Sequence, residues 1–313
     1  MRELIYVPLR AWRAAVAGIA AAGVERYSSL EPLFVRAGRS LARRSRFGGG
    51  LYGCAQEALM QRLRRSGHRY REVTIRNFPL QVDVTDPTGR SAFFYSVPYE
   101  KEVTDAVITA LKPGDVFLDV GANIGYFSAL GAKLVGASGR VVAFEPHEKA
   151  RDGLRAMAAR NEVDQIIEVV PFAVAERVGD VALYTADEAT SYSTLNPELA
   201  PMREVVAYRP ATVVHTTSLD AWLAGRPDLA SRVRCIKIDV EGAESRVLTG
   251  MTRTLLSHSV TILCETTVGS DADAILERAG FQRHRVERGT LAYGNFLYVR
   301  PRRSALSLDV DQD

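Results

Sequence analysis

The stretch DVFLDVGANIGYFSALGA, residues 115–132, decides the fold. Residues 116–120 (VFLDV) are an apolar run broken by one acid, the pattern of a strand buried on both faces. GANIG at 121–125 is a glycine-bounded turn, and a helical pattern follows through about Leu134. The same alternation continues toward the C-terminus. RVVAFE (140–145) reads as a second buried strand, about 149–160 as a helix, and IIEVV (166–170) as a third strand. After a hairpin-like insert come CIKID (235–239), a helix near 243–256, VTILCE (260–265) and a helix over about 271–279 that ends at Gly280. Two closely spaced strands, near 282–286 and 295–299, complete the pattern, so one of them is expected to run antiparallel. Strands alternating with helices predict an α/β fold with a mostly parallel sheet covered on both faces.

Toward the N-terminus the pattern weakens. A helix is expected from about Glu100 to Leu111, stopped by Pro113-Gly114. VTIRNFPLQVDV (73–84) alternates around Asn77-Phe78-Pro79 as a pair of short strands, and SAFFYSV (91–97) reads as a third. Residues 1–72 read as helical segments broken by turns, with Leu51, Ala55, Leu59 and Leu63 on one helical face. Residues 14–24 (AAVAGIAAAGV) are too short for a bilayer, which needs about 20 residues, and too rich in Ala and Gly for a strong secretory signal. They read as a helix. The domain division is therefore a helical extension over 1–72, a domain over 73–300 made of a small β-element (73–98) and a core (99–300), and a flexible tail over 301–313.

Charge divides the chain in the same place. The 313 residues carry a net charge of only +3, but residues 1–76 hold 15 Arg, no Lys and 5 acids, leaving −7 on the remaining 237. A basic, amphipathic arm allows weak contact with a membrane surface. With 47% hydrophobic and 25% charged residues, the composition excludes a wholly disordered chain, collagen and a disulfide scaffold. Cys54, Cys235 and Cys264 are odd in number and match no metal spacing. Two of them sit in apolar runs as core thiols, which fits a reducing, cytoplasmic compartment.

The glycine turn narrows the ligand. A turn between strand and helix lets a ligand approach the backbone, and the helix start offers free N–H groups. Asp119-Val120-Gly121-Ala122-Asn123-Ile124-Gly125 lacks both the G-x-G-x-x-G dinucleotide pattern and the Gly-Lys-Ser/Thr of a phosphate loop. An acid just before the turn disfavours pyrophosphate and favours a cationic group. Glu145 ends the next strand, where a carboxylate can accept both hydroxyls of a ribose. A ribose diol, a cationic end and no phosphate describe S-adenosylmethionine.

DVFLDVGANIGYFSALGA (115–132), VVAFEPHEKA (141–150), TTSLDAWL (216–223) and IKIDVEGAESRVLTG (236–250) together resemble the FkbM-type S-adenosylmethionine-dependent methyltransferases. The resemblance covers about residues 73–300. It implies a class I Rossmann-like fold, with a seven-stranded sheet whose last strand is antiparallel, and methyl transfer to a hydroxyl, often on a sugar or secondary metabolite. Some relatives are thought to methylate nitrogen. Cofactor contacts carry over to Asp119, Gly121, Asn123, Gly125, Glu145 and Pro146. Phe172 and Ala173 match the adenine segment, and Tyr99 and Glu102 the approach helix.

Methyl transfer is an in-line displacement helped by alignment and, for an alcohol, by a base or a metal. Asp239 ends the fourth strand, Glu241 and Glu244 follow, and Glu265 ends the fifth. Asp239 and Glu241 are the catalytic candidates. Asp239 and Glu265 are the ligands if a divalent metal is used, and Glu244 also suits the start of the next helix. Tyr192, Ser193, Lys237 and Glu265 are the acceptor-side candidates, with Lys237 also placed to pair with a neighbouring acid. The expected partner is a small-molecule, glycan or natural-product acceptor, with oligomeric state left open. Two rivals stand beside O-methylation: N-methylation of a peptide or natural product, and a binding module that has lost catalysis. Nucleic acid is disfavoured, because the Asn/Asp-Pro-Pro-Tyr/Phe motif is absent after the fourth strand and an acidic site repels phosphates.

Overall fold

A computed structural model of the chain describes residue 18 and residues 31–44, 46–186, 189–201, 204, 207–256, 260–286 and 292–301. Apart from Gly18, the 14–24 run lies outside them, as do His258 and the tail beyond Pro301. The chain divides into two compact units, Met1–Lys101 and Glu102–Asp313.

In the first unit, α1 (Glu31–Arg44) and α2 (Arg46–Ser66) precede an antiparallel hairpin of β1 (Tyr70–Ile75) and β2 (Phe78–Asp83), followed by α3 (Pro87–Tyr95). The expected third strand over 91–97 is this helix. Its aromatics suggest a strand by propensity, but Pro87 occupies the first helical position, where its missing N–H costs nothing. Burial alone does not separate the two, since Ala92 and Phe94, two residues apart, are buried while Tyr95 is exposed. Arg39 then satisfies the end of the helix, donating from Nε to Phe94 O and from Nη2 to Phe93 O, each at 2.6 Å. A bidentate pair between Arg71 and Glu31 ties β1 to the start of α1.

The second unit opens with α4 (Lys101–Ala110), whose first residue belongs to the preceding unit. The strands β3 (Val116–Val120), β4 (Arg140–Phe144), β5 (Ile167–Val170), β10 (Val233–Ile238), β11 (Thr261–Thr267), β12 (Gln282–Arg285) and β13 (Tyr293–Val299) form one seven-stranded sheet. Its order is β12-β13-β11-β10-β3-β4-β5. The β5-β4-β3-β10-β11 pairs are parallel, and β13 runs antiparallel to both of its neighbours.

Every residue of β3 is buried, as expected for a central strand covered on two faces. The crossovers include α5 (Tyr126–Val135) after β3 and α6 (Glu148–Arg160) after β4. Val120, Phe144, Trp222, Ile236, Val247 and Tyr298 share one continuous apolar core. Where the sequence suggests one helix over 243–256 there are two short ones, α9 (Glu244–Thr249) and α10 (Thr252–Leu255). Between them Gly250 abuts the backbone of Ala175 so closely that a Cβ would lie 2.1 Å from its carbonyl oxygen.

The remaining elements, apart from one helix, lie between β5 and β11. The insert is a second sheet of order β6-β9-β7-β8, made of β6 (Ala173–Val174), β7 (Gly179–Ala186), β8 (Ala189–Thr194) and β9 (Tyr208–Thr217). It is followed by α7 (Leu219–Ala224) and α8 (Pro227–Arg232); α11 (Asp271–Arg278) follows β11. From β3 the chain winds outward to β4 and β5, then returns to β10 on the other side. The carboxyl ends of β3 and β10 therefore flank the topological switch point, where open α/β sheets bind ligands.

Candidate functional site

The turn after β3 is built from backbone that few residues adopt. Gly121 (φ 81°) and Asn123 (φ 47°) lie in the left-handed region. A Cβ on Gly121 would lie 1.8 Å from the carbonyl oxygen of Asp239, so β3 and β10 approach here only because the side chain is absent. Asp239 N–H closes the approach by donating to Val120 O at 3.0 Å.

Glu145 organises the neighbouring edge. Its Oε2 accepts from Asn123 N–H and its Oε1 from His147 N–H, both at 2.8 Å. Burial pushes its carboxyl up to about 7, opposed by those two N–H groups and by the Arg151 charge. Each oxygen keeps a lone pair for a further donor.

Behind the turn, Asp119 is buried at 1% exposure. Ser128 Oγ donates to its Oδ2 at 2.6 Å, while Oδ1 has no hydrogen-bond partner. Burial raises its pKa, with Lys237 pulling the other way. Lys237 stands opposite Asp119 in the β3–β10 register, donates to Asp239 Oδ2 at 2.7 Å, and lies 4.9 Å from the centre of the Phe127 ring. Burial works against ionisation of Asp239, but Lys237 and a hydrogen bond with Glu265 outweigh it and hold its carboxyl below the usual range. Glu265 is driven the opposite way, well above the carboxylate range, by burial first and then by the Asp239 charge. That direction favours the protonated form of Glu265 beside an ionised Asp239. Carboxylate oxygens of Asp239, Glu241 and Glu265 all lie within 4.8 Å of one another, a donor set that suits a hard divalent cation.

Gly121, Asn123, Glu145, Pro146, Ala173, Ser193, Asp239 and Glu241 line a single cleft. The other expected residues stand apart from its wall. Asp119 is enclosed behind the turn, and Gly125 caps α5. Phe172 packs edge-on to His215, and Lys237 is buried beneath Asp239. Glu265 joins the acid cluster from β11, and Glu102 lies in the first turn of α4. Tyr99 belongs to the first unit, and the Tyr192 side chain lies outside the described residues.

Leu183, Thr194, Leu195 and Val240 also line the cleft, and the sequence singles out none of them for cofactor contact. Thr194 Oγ1 donates to Glu241 O at 2.6 Å and accepts from Asn196 N–H at 2.9 Å. That bond spans 47 positions and pins the insert to a turn in which Glu241 (φ 55°) is itself left-handed. Glu244 secures the same turn by accepting from Gly242 N–H at 3.0 Å.

The chemistry of this wall fits S-adenosylmethionine. It combines a carboxylate with free lone pairs and a turn leading into a helix N-terminus, and behind the turn a buried Asp119 oxygen still lacks a donor. The space is narrower than the chemistry. The cleft holds about 50 Å³, against roughly 300 Å³ or more for pockets that enclose such ligands. Ser193, Thr194 and Leu195 of the insert form part of its wall.

The methyltransferase FkbM domain model matches residues 119–283, just over half of the chain. The chain is 32% identical over 161 residues to the 31-O-demethyl-FK506 methyltransferase FkbM of Streptomyces tacrolimicus, covering 45% of this chain and 61% of that protein. It thus spans about three-fifths of that relative's length. Among solved structures, a methyltransferase FkbM from Methylobacillus flagellatus KT is 15% identical, covering 62% of this chain and 50% of that chain with a TM-score of 0.37. A SAM-dependent O-methyltransferase from Thermotoga maritima is 12% identical, covering 75% and 79% with a TM-score of 0.41. The matched segment runs from the Asp119 turn through the Glu145 strand end and the Asp239–Glu244 turn, and this chain belongs to the FkbM methyltransferase domain family.

Proposed function

We propose that this chain is an S-adenosylmethionine-dependent methyltransferase that methylates a hydroxyl on a small molecule, glycan or natural product. The observation that carries the reading is the convergence of Glu145, the Gly121–Asn123 turn and Asp239 on one cleft at the switch point of the sheet. Glu145 would accept the ribose diol, and the backbone at the start of α5 would receive the carboxylate of the methionine moiety. When bound, the cofactor supplies a methyl group already activated on a sulfonium.

The protein's part is alignment and proton handling. Asp239 is the base, taking the hydroxyl proton on a carboxylate oxygen. Lys237 keeps that carboxylate ionised at the cost of some basicity, so Asp239 acts late, as the oxygen loses its electron pair to the new bond. Glu265, holding its own proton, fixes Asp239 without competing for the acceptor's. Glu241 lies beside them and extends the negative field toward a cationic ligand.

A divalent cation on Asp239 and Glu265 is the second reading that the 4.8 Å grouping supports; chelation followed by Mg²⁺ add-back separates the two. No described helix is long and apolar enough to cross a membrane. All three cysteines are free, which supports a reducing, cytoplasmic setting. The basic arm, with an excess of +10 over residues 1–76, is assigned to surface or partner contact rather than to nucleic acid. The test is transfer of label from methyl-labelled cofactor to a hydroxylated acceptor, with Asp239→Asn as the comparison.

A further inference from the structure

We propose that a second cavity, of about 570 Å³ between Leu199, the Gly242 turn and the start of α11, is the acceptor site, and that it selects a neutral, polyhydroxylated molecule over an anionic one. This deepens the methyltransferase reading and rests on it.

Position is the first argument. Gly242 lines this cavity and its neighbour Glu241 lines the cofactor cleft. Tyr293, in the cavity wall, stands on β13 beside β11, the strand that carries Glu265 to within 4.8 Å of Asp239. The Glu241–Gly242 peptide therefore lies between the two spaces, and an acceptor held in the larger one would lie one residue from the acid cluster that contains Asp239. A Cβ on Gly242 would come within 2.7 Å of the Leu199 carbonyl, so the insert lies directly against this boundary.

Chemistry is the second. Ser245 and Thr267 offer hydroxyls, Glu244 and Asp271 offer carboxylates, Ser270 Oγ is held by Asp273 N–H and Thr266 Oγ1, and the described lining contains no Lys, Arg or His. The start of α11 would ordinarily attract an anion, but Asp271 stands in its first turn and opposes that field, while Asp273 there is buried and paired with Arg283. A phosphate or carboxylate entering here meets acids and no counter-charge. A neutral polyol meets donors and acceptors, with the Tyr293 ring as a flat apolar surface. The volume falls within the roughly 300–1,000 Å³ of pockets for drug-sized ligands.

Saturation-transfer NMR on the full chain, with trehalose and sucrose compared with their 6-phosphates, tests this alongside calorimetry with S-adenosylmethionine on the same samples. The neutral disaccharides should receive saturation and the phosphates about fivefold less. Thr267→Trp, at an exposed strand end, should cut the neutral signal about fivefold by filling the cavity while cofactor affinity stays within about twofold. Tyr293→Phe should weaken it about threefold through loss of one hydroxyl. Equal or stronger binding of the phosphates, no saturation of either neutral compound, or an unchanged signal in both variants overturns the proposal. Failure of the wild-type chain to bind S-adenosylmethionine would instead remove the methyltransferase reading, and the saturation comparison would still report on the cavity by itself.

Discussion

Glu145 offers the sharpest handle on the site. In Glu145→Gln one oxygen still accepts a backbone N–H, but an NH₂ group faces the other donor, Asn123 or His147, each of which now sits 2.8 Å from a carboxylate oxygen. The negative charge that would receive the ribose diol is gone. Hydrogen bonds to a charged group are worth about 1.5–3 kcal/mol each, so losing two should weaken cofactor binding by about 3–6 kcal/mol, or about 10²–10⁴-fold.

The raised carboxyl adds a pH signature. With the group near 7 in the folded chain and at its ordinary 4.5 unfolded, the folded chain holds the extra proton between those values. Stability of the free protein therefore falls as pH rises across that window, by about 3 kcal/mol at most, and levels off above it. Cofactor binding runs the other way. The diol needs the ionised form, so affinity should rise about tenfold per pH unit up to near 7, and binding at pH 6 should release about 0.9 proton. Calorimetry in buffers of different ionisation enthalpy measures both. Affinity that is flat from pH 5.5 to 8, or Glu145→Gln binding within about fivefold of wild type, would refute the assignment of Glu145 to the diol.

Three further substitutions probe the rest of the cleft. Asp239→Asn should reduce kcat about 10²–10⁴-fold while S-adenosylmethionine affinity changes less than about threefold; steady-state kinetics with calorimetry reads both. Thr194→Val removes the 2.6 Å bond to Glu241 O, so stopped-flow association of the cofactor should speed up about three- to tenfold, and Thr194→Ser should restore the slower rate. Gly121→Ala forces a Cβ into the Asp239 carbonyl at a positive φ and should lower unfolding stability by about 2–4 kcal/mol in urea titration.

The sheet was legible because its strands are continuous apolar runs and its first turn is bounded by glycines whose backbone, at Gly121 and Gly125, is left-handed. The place of Glu145 at the cleft was legible for a similar local reason, since an acid closing a buried strand has few structural uses. Other features depend on residues far apart in the chain. The 91–97 segment carries strand-forming aromatics, yet Arg39 and Tyr52 receive its carbonyls as a helix end. The Thr194 latch joins positions 47 apart and has no local signature. Ser128 is the partner of Asp119 only because α5 folds back over β3. Tyr293 comes beside the strand of Glu265 through the antiparallel β11–β13 register, which no spacing in the sequence reveals. The grouping of the β1–β2 hairpin with the helices before it, in a unit ending at Lys101, likewise comes from packing rather than from the charge boundary near residue 76.

Whether Asp239 directs methyl transfer to an acceptor hydroxyl is read by incubating the full chain with methyl-tritiated S-adenosylmethionine and fractionated small-molecule extract and identifying the labelled product by mass spectrometry. Label should appear on the oxygen of a neutral hydroxylated compound, and at no more than about one-hundredth of that rate with Asp239→Asn. Label on nitrogen, on nucleic acid, or at an equal rate in Asp239→Asn would contradict that role.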